Sequence, residues 1–364
     1  MYIVTITSLI AVLFVLLESK QKITFGFGFA FFLVTFVQAI HYNYGNDYMI
    51  YLQSFYEYTC NPFNLKHLLN SHRDGLWPIF CYIFKPVGFF GMVAFLTVFQ
   101  NSVYFYFIKK NVPQQWLVLG VFVYLFTPQL YLLNMSMLRQ GFCEALFLCS
   151  FLMIQKKERY CLVFAIALVL FAGQIHSSIY ALIPFLLLSF FPLLNTKILI
   201  SVLLILWSVF IVSSSLAGSI VNAFFKISMF GQRYDIYLLV VEKNSSIGLG
   251  YVIMSIPAMV IIGSLLNDFG DMKKKVMCMA VFERFVFAFS SIAPLVGRMG
   301  FYFSVFYMVA FPLACSKIRD NFLKFMIISS YVAMSLLVYW GFYRDKVYQE
   351  YFSDFHSVFE VFLQ

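Results

Sequence analysis

Long apolar runs separated by short polar turns set the pattern of this chain. The runs are continuous, with no strict alternation of apolar and polar positions, so they read as helices and not as lipid-facing strands. A helix that crosses a membrane needs about 20 apolar residues. By that rule the stretches 2–17, 23–40, 88–108, 116–133, 137–154, 161–175, 178–193, 198–216, 247–266, 276–296, 299–316 and 323–342 predict about 12 spans. Residues 77–86 form a shorter apolar piece that suits a re-entrant or interfacial helix. The expected fold class is all-α, a polytopic transmembrane helix bundle, with residues 1–364 as a single integral membrane domain.

One stretch interrupts the pattern. Cys161–Ala172 and Ile179–Phe191 are together too long for one span and short for two, and Gly173-Gln174-Ile175-His176-Ser177-Ser178 lies between them. The helix has to break there. Broken backbone is tolerated at membrane depth only where protein or a water-filled cavity satisfies it. An ionisable residue at such a place is a functional-site hypothesis by default. A lone histidine in a bundle is also a common packing residue, and both readings of His176 stand at this point.

Composition sharpens the class. Hydrophobic residues make up 62% and charged residues 11% of the chain, and the mean hydropathy is +0.86, far from a soluble globular balance. Aromatics at 21% suit lipid-packed helices with interfacial belts. The net charge of +9 is scattered through short loops and not gathered on one face, so it reports topology and not nucleic-acid binding. The seven cysteines form no CxxC and mostly lie in or beside apolar runs, so they read as small buried hydrophobes, with no metal or disulfide framework. The first run lacks a basic flank and a small-residue cleavage site and reads as a retained span.

Charge also orients the bundle. Lys20 and Lys22, Lys109 and Lys110, Lys156 to Arg159, Lys197, Lys273 to Lys275, and Lys317 to Lys324 fall in alternate loops. The positive-inside rule makes those loops cytoplasmic and places the N-terminus and the His176 break outside. The outer set then comprises 41–87, the turn before Arg139, 173–178, 217–246, the turn at Arg298 and the tail from Tyr343, which could form an amphipathic helix.

The unusual polar residues collect on that outer side. Asp47 and Tyr51 share a helical face, which fits either sugar binding and proton transfer or an acidic first turn in an aromatic belt. Arg139 enters an apolar helix at its positive end. A cation there is disfavoured by the dipole unless an anion docks on it, or unless it snorkels to headgroups. Gln140 follows it, and Glu144 one turn deeper is a secondary candidate. Arg233 with Tyr234 offers an anion-and-sugar surface or a solvated loop. Arg298 occupies a very short outer turn. Three arginines on the outer side run against the usual charge bias, which an anionic ligand such as a diphosphate would explain. Adjacent Glu283 and Arg284 do not face each other on a helix, so they read as finding two separate partners in the bundle or as a snorkelling pair, with no role assigned.

The segment 45–55 with Asp47 and Tyr51, the Leu138-Arg139-Gln140 helix entry, the His176-Ser177-Ser178 break, the Arg233-Tyr234 loop, and Arg298 with Tyr302 resemble, in order and spacing, the EpsG-like group of Wzy-type polysaccharide (O-antigen) polymerases. Asp74-Gly75 departs from the glutamate expected ahead of the proline. The resemblance implies a multi-pass glycosyltransferase of the bacterial inner membrane, active on its periplasmic or outer face. Its substrate would be undecaprenyl-diphosphate-linked oligosaccharide in membrane lipid. A flippase and a chain-length regulator of the same pathway would be its partners. No cofactor and no metal are expected. His176 is the first choice of base, with Asp47 second. Arg139, Arg233 and Arg298 would hold the diphosphate, with Gln140, Ser177, Tyr234 and Tyr51 as further substrate contacts. The rival readings are an O-antigen ligase and a lipid-linked oligosaccharide flippase or transporter.

Overall fold

The computed structural model describes residues 1–60, 75–156, 158, 160–193, 195–212, 249–290 and 294–363. Almost all regular structure among them is helical, with one pair of two-residue strands. The chain divides into two compact units, Met1–Phe190 with Val332–Gln364, and Phe191–Tyr331.

The first unit contains α1 (Tyr2–Ser19), α2 (Gly26–Ala39), β1 (His41–Tyr42), α3 (Tyr48–Cys60), α4 (Leu76–Ile83), α5 (Gly88–Asn111), α6 (Leu117–Phe126), α7 (Leu132–Ser136), α8 (Leu138–Ile154), α9 (Cys161–Gly173) and α10 (Ile183–Phe190). α1 lies against α2 and α6, α5 lies between α2 and α8, and α9 packs on α8. Close approach of α1 and α2 depends on Gly26, where a Cβ would fall 2.0 Å from the Phe14 carbonyl oxygen. Glu18 closes the start of α2 by accepting the Phe27 N–H at 2.6 Å, one of the donors a helix start leaves without a partner.

A polar seam runs through this apolar unit. Gln100, Asn101 and Tyr104 fall on one face of α5 at helical spacing, all buried. Asn101 Nδ2 donates to Gln38 Oε1 at 2.9 Å, the Tyr124 hydroxyl donates to Asn101 Oδ1, and the Tyr104 hydroxyl donates to Glu144 Oε2 at 3.0 Å. α2, α5, α6 and α8 are thereby tied at fixed depth, since sliding any one would strand a buried polar group.

The chain returns to this unit within α17 (Asn321–Arg344), and the tail then closes over the first loop. It does not form one amphipathic helix. α18 (Lys346–Phe352), capped by Asp345 Oδ1 on the Val347 N–H at 2.9 Å, gives way to β2 (His356–Ser357) and α19 (Val358–Leu363). β2 pairs antiparallel with β1, His41 opposite Ser357 and Tyr42 opposite His356. The Tyr44 ring packs edge-on against Phe352 at 5.0 Å and near Phe355 at 5.5 Å. Strand pairing and ring burial outweigh the local helical preference here.

The second unit holds α11 (Thr196–Val212), α12 (Leu249–Met254), α13 (Ile256–Ser264), α14 (Asp271–Ser290), α15 (Pro294–Ser304), α16 (Tyr307–Ser316) and the first part of α17. α14 packs on α13, α15 and α16. Two sequence expectations are corrected in this unit. Arg298 lies inside α15, because the helix restarts at Pro294, a residue suited to a first turn, and runs through position 298. Glu283 and Arg284 pair with each other: the guanidinium folds back so that Nε and Nη2 meet the two carboxylate oxygens. With both side chains withdrawn from water, the nearest counter-charge outweighs the unfavourable helical spacing.

Among the described residues three helices are long and apolar enough to cross a membrane, Tyr2–Ser19, Gly88–Asn111 and Asn321–Arg344, and a pair bent by 54°, Gly297–Ser304 with Tyr307–Ser316, makes a fourth if it counts as one span. The other apolar runs form shorter helices. The run 116–133 is interrupted after Phe126 by Thr127-Pro128, and 247–266 is divided at Ser255, ahead of Pro257. Proline lacks the N–H an uninterrupted helix needs, so apolar run length overstates helix length.

Two glycines of α2 give a direct test of this packing. Gly26→Ala should lower thermal stability in detergent by about 1–3 kcal/mol through overpacking. Gly28, whose Cβ would meet nothing within 4 Å, should tolerate alanine or gain up to about 1 kcal/mol. Thermal melts of the two variants at equal expression decide it.

Candidate functional site

Two helix breaks of the first unit face a common set of residues. The first separates α7 from α8 at Met137, whose ψ of 62° leaves the helical region. Ser136, just before it, anchors the first loop: the Asp47 N–H donates to Ser136 Oγ at 3.0 Å, and the Ser136 hydroxyl donates to Asn46 Oδ1 at 2.8 Å. Gly45 permits this contact. Its φ is +130°, and a Cβ would lie 2.4 Å from the Ser136 Cβ. Asp47 then precedes α3, its carbonyl accepting the Tyr51 N–H at 3.1 Å.

Just past the first break, Arg139 is half-buried, and its guanidinium carbon sits over the Tyr51 ring at 5.5 Å and over the Trp77 ring at 5.9 Å. The two rings meet edge-on at 5.8 Å. α3, α4 and α8 thus converge on one cation.

The second break is at the expected stretch. α9 ends at Gly173, His176 is extended (φ −149°, ψ 106°), and a 3₁₀ turn spans Ser177–Leu182 before α10. Gly173 leaves room for the Tyr180 ring, 2.1 Å from where a Cβ would stand. The released backbone groups find partners. Ala172 O accepts the His176 N–H at 2.9 Å and the Cys143 thiol at 3.3 Å, and Gln174 O accepts the Leu76 N–H at 3.0 Å. Cys143 is one turn beyond Arg139 on the same face of α8, and Leu76 adjoins Trp77. The break carrying His176, Ser177 and Ser178, all half-buried, is therefore fastened to the two elements that hold Arg139 and Trp77.

Of the sequence-predicted residues, the structure brings Asp47, Tyr51 and Arg139 together and ties the His176–Ser177 break to them. Gln140 is buried, with its amide Nε2 donating to Glu144 Oε1 at 3.3 Å. Arg298 belongs to the second unit and is exposed on α15. Arg233 and Tyr234 lie outside the described residues, as does Asp74. Among the described residues no group of three or more His, Cys, Asp or Glu side chains gathers to hold a metal.

The model of the EpsG family matches residues 2–355. The chain belongs to the EpsG family. Membership across nearly the whole chain makes this a polysaccharide-polymerase-like membrane protein, of a family associated with glycosyltransferase-type polymerisation. No curated protein and no solved structure matches the chain significantly.

Two residues of the candidate site in this EpsG-family chain were not singled out from sequence. Trp77 was legible only as part of an apolar piece, and nothing in its spacing paired it with Arg139. His41 follows directly on the apolar run 23–40, and an ionisable group at a span end was the available signal. It is fully buried, its ring nitrogens facing the carbonyl oxygens of Gln38 and of Met135, the latter at 2.9 Å, while its own carbonyl accepts the Tyr48 hydroxyl at 3.0 Å. It thereby holds the carbonyl just before the Met137 break. Burial pulls its pKa down to about 4, against the carbonyl contacts, which favour the protonated ring.

That depression has a sign. Between pH 6.5 and 4 the unfolded chain protonates His41 and the folded one does not, so stability is full above about 6.5 and falls as acid is added, by roughly 3 kcal/mol at the limit. Melting temperature in detergent should drop between pH 7 and 4.5, and His41→Gln should flatten that slope while lowering stability at neutral pH. An unchanged slope in the variant would assign the acid sensitivity elsewhere.

Proposed function

We propose that this chain polymerises undecaprenyl-diphosphate-linked oligosaccharide repeat units into O-antigen, capsule or exopolysaccharide on the outer, periplasmic face of the bacterial inner membrane. The growing polymer leaves its lipid carrier and is transferred to the non-reducing sugar of an incoming lipid-linked repeat. The observation that carries this reading is the Arg139 guanidinium set against the paired Tyr51 and Trp77 rings at a helix start, beside a broken helix bearing His176.

The chemistry follows from those parts. An acceptor hydroxyl attacks the anomeric carbon as the bond from that carbon to the diphosphate oxygen breaks. The hydroxyl proton passes to a base, His176 first and Asp47 second. The leaving group is undecaprenyl diphosphate, whose charge grows as it departs. Arg139 answers it with a fixed planar cation in a partly dehydrated cleft, close to backbone N–H groups of the α8 start. Tyr51 and Trp77 supply flat apolar faces for sugar rings. Ser177 and Gln140 complete the first-unit set, and Arg233, Tyr234 and Arg298 are proposed as further contacts to diphosphate or sugar. Because arginines neutralise the diphosphate, the reaction runs without a metal ion and persists in chelator. In the membrane the chain acts as one integral domain of about 12 crossings, counting shorter and broken helices with the long ones. It works beside the flippase that supplies repeats and a chain-length regulator.

A deletion host complemented at equal membrane level tests the proposal. Wild type should restore a polymer ladder. Arg139→Ala and His176→Ala should leave single repeats on the final acceptor, and Arg139→Lys should recover little, since an ammonium keeps the charge but not the planar fork. Ladders of normal length from both alanine variants would sink the assignment. Repeats trapped on the cytoplasmic side in the deletion host would identify a flippase, and full-length chains stranded on the carrier a ligase.

A further inference from the structure

Glu144 is 0% exposed and lies within an apolar helix, where a carboxyl group is costly and calls for a reason. Its neighbours supply one. Oε2 accepts the Tyr104 hydroxyl at 3.0 Å and Asn134 Nδ2 at 3.3 Å, and Oε1 accepts Gln140 Nε2 at 3.3 Å. Asn134 lies on α7 and Gln140 on α8, so the two oxygens of one carboxylate hold both sides of the Met137 break. The arrangement is specific to a small residue opposite it. A Cβ on Gly141 would lie 2.9 Å from both Asn134 Oδ1 and Gln100 Oε1, so glycine lets both amides sit where they are without shifting. Asn134 Nδ2 also donates to Leu130 O at 2.8 Å, which locks its orientation.

From this geometry we infer that Glu144 is a positioning residue that sets the angle between α7 and α8. It would thereby aim Arg139 at Tyr51 and Trp77 and hold Ser136 where it anchors Asn46 and Asp47. Gln140 and Asn134 are adjacent to, or two residues from, the groups being aimed, so the staple acts within one turn of each. A helix break with no such brace would leave Arg139 free to sweep with the α8 start. The inference rests on the reading of Arg139 as part of the polymerase site, but its physical content is independent of activity.

Trp77 offers the independent readout, because its ring touches the guanidinium. In a variant whose other three tryptophans, at 116, 207 and 340, are phenylalanine, Glu144→Ala should shift the Trp77 emission at unchanged helical content. The same change placed in an Arg139→Ala background should shift it no further. Polymer yield of Glu144→Ala should fall roughly tenfold or more, the order expected when buried donors lose their acceptor. Glu144→Gln, which keeps the length and one acceptor oxygen, should lie between it and wild type. Asn134→Ala, cutting one arm of the staple, provides a second route if Glu144→Ala does not accumulate. Ser150→Ala, which removes a buried hydroxyl bonded to Leu146 O at 3.0 Å on the same helix, should change neither readout. Trp77 emission that ignores Glu144 and Asn134 substitutions overturns the proposal, and so does a shift of equal size with and without Arg139. An emission cycle that behaves as expected while ladders stay normal keeps the positioning role and removes Arg139 from the polymerase reading.

Discussion

Backbone groups released inside an apolar bundle must find partners, and the candidate site of the first unit is built around two places where helices release them. A continuous helix satisfies its own N–H and C=O groups except at its ends. Each break creates two new ends, and every group left unpaired there costs on the order of one to several kcal/mol. The chain meets that cost with side chains and backbone from elsewhere in the same unit. At Met137 the His41 ring faces Met135 O, and side-chain bonds of Ser136 with Asn46 and Asp47, and of Glu144 with Asn134 and Gln140, brace the segments on either side. At Gln174–His176 they are Leu76 N–H and the Cys143 thiol. Because the same bonds pull α3, α4, α8 and α9 to one place, satisfying the breaks and assembling the candidate site are a single event. Breaks, polar groups, the positive-φ Gly45 and the closely approached Gly173 therefore cluster.

This clustering explains what could be read from the sequence. The 173–178 break was legible because apolar run length is counted in residues, and a run of that size cannot be either one span or two. The Asp47–Tyr51 relation was legible because helical spacing is local. The turn before Arg139, between the runs 116–133 and 137–154, was legible too, and the Met137 break lies there; its bracing was not, since His41 and Glu144 are distant in sequence or hidden inside the helix pattern. Arg298 was misplaced for the converse reason. Its flanking glycines imitate a turn, while Pro294 starts the helix earlier. The Glu283–Arg284 pairing escaped the spacing rule because that rule describes solvated side chains, which are not forced onto the nearest opposite charge. Helix lengths were overestimated wherever a proline lay inside an apolar run.

The stacked arginine is the part of the site that physics constrains most tightly. A guanidinium presents two different surfaces. Its flat face is weakly hydrated and is attracted to aromatic rings, by about 0.5–2 kcal/mol for each contact depending on burial. Its edge carries the N–H fork that matches carboxylate or phosphate oxygens. Tyr51 and Trp77, whose ring centres lie 5.5 and 5.9 Å from the guanidinium carbon, limit its freedom and remove part of its water before any ligand arrives. The penalty of dehydrating a cation is thus met during folding and not during binding. A lysine could not be held this way, since an ammonium has no plane to align and keeps its water more strongly. In the proposed polymerase reading, arginine, tyrosine and tryptophan would form an anion site with sugar-binding walls, and a bare phosphate would exploit only half of it.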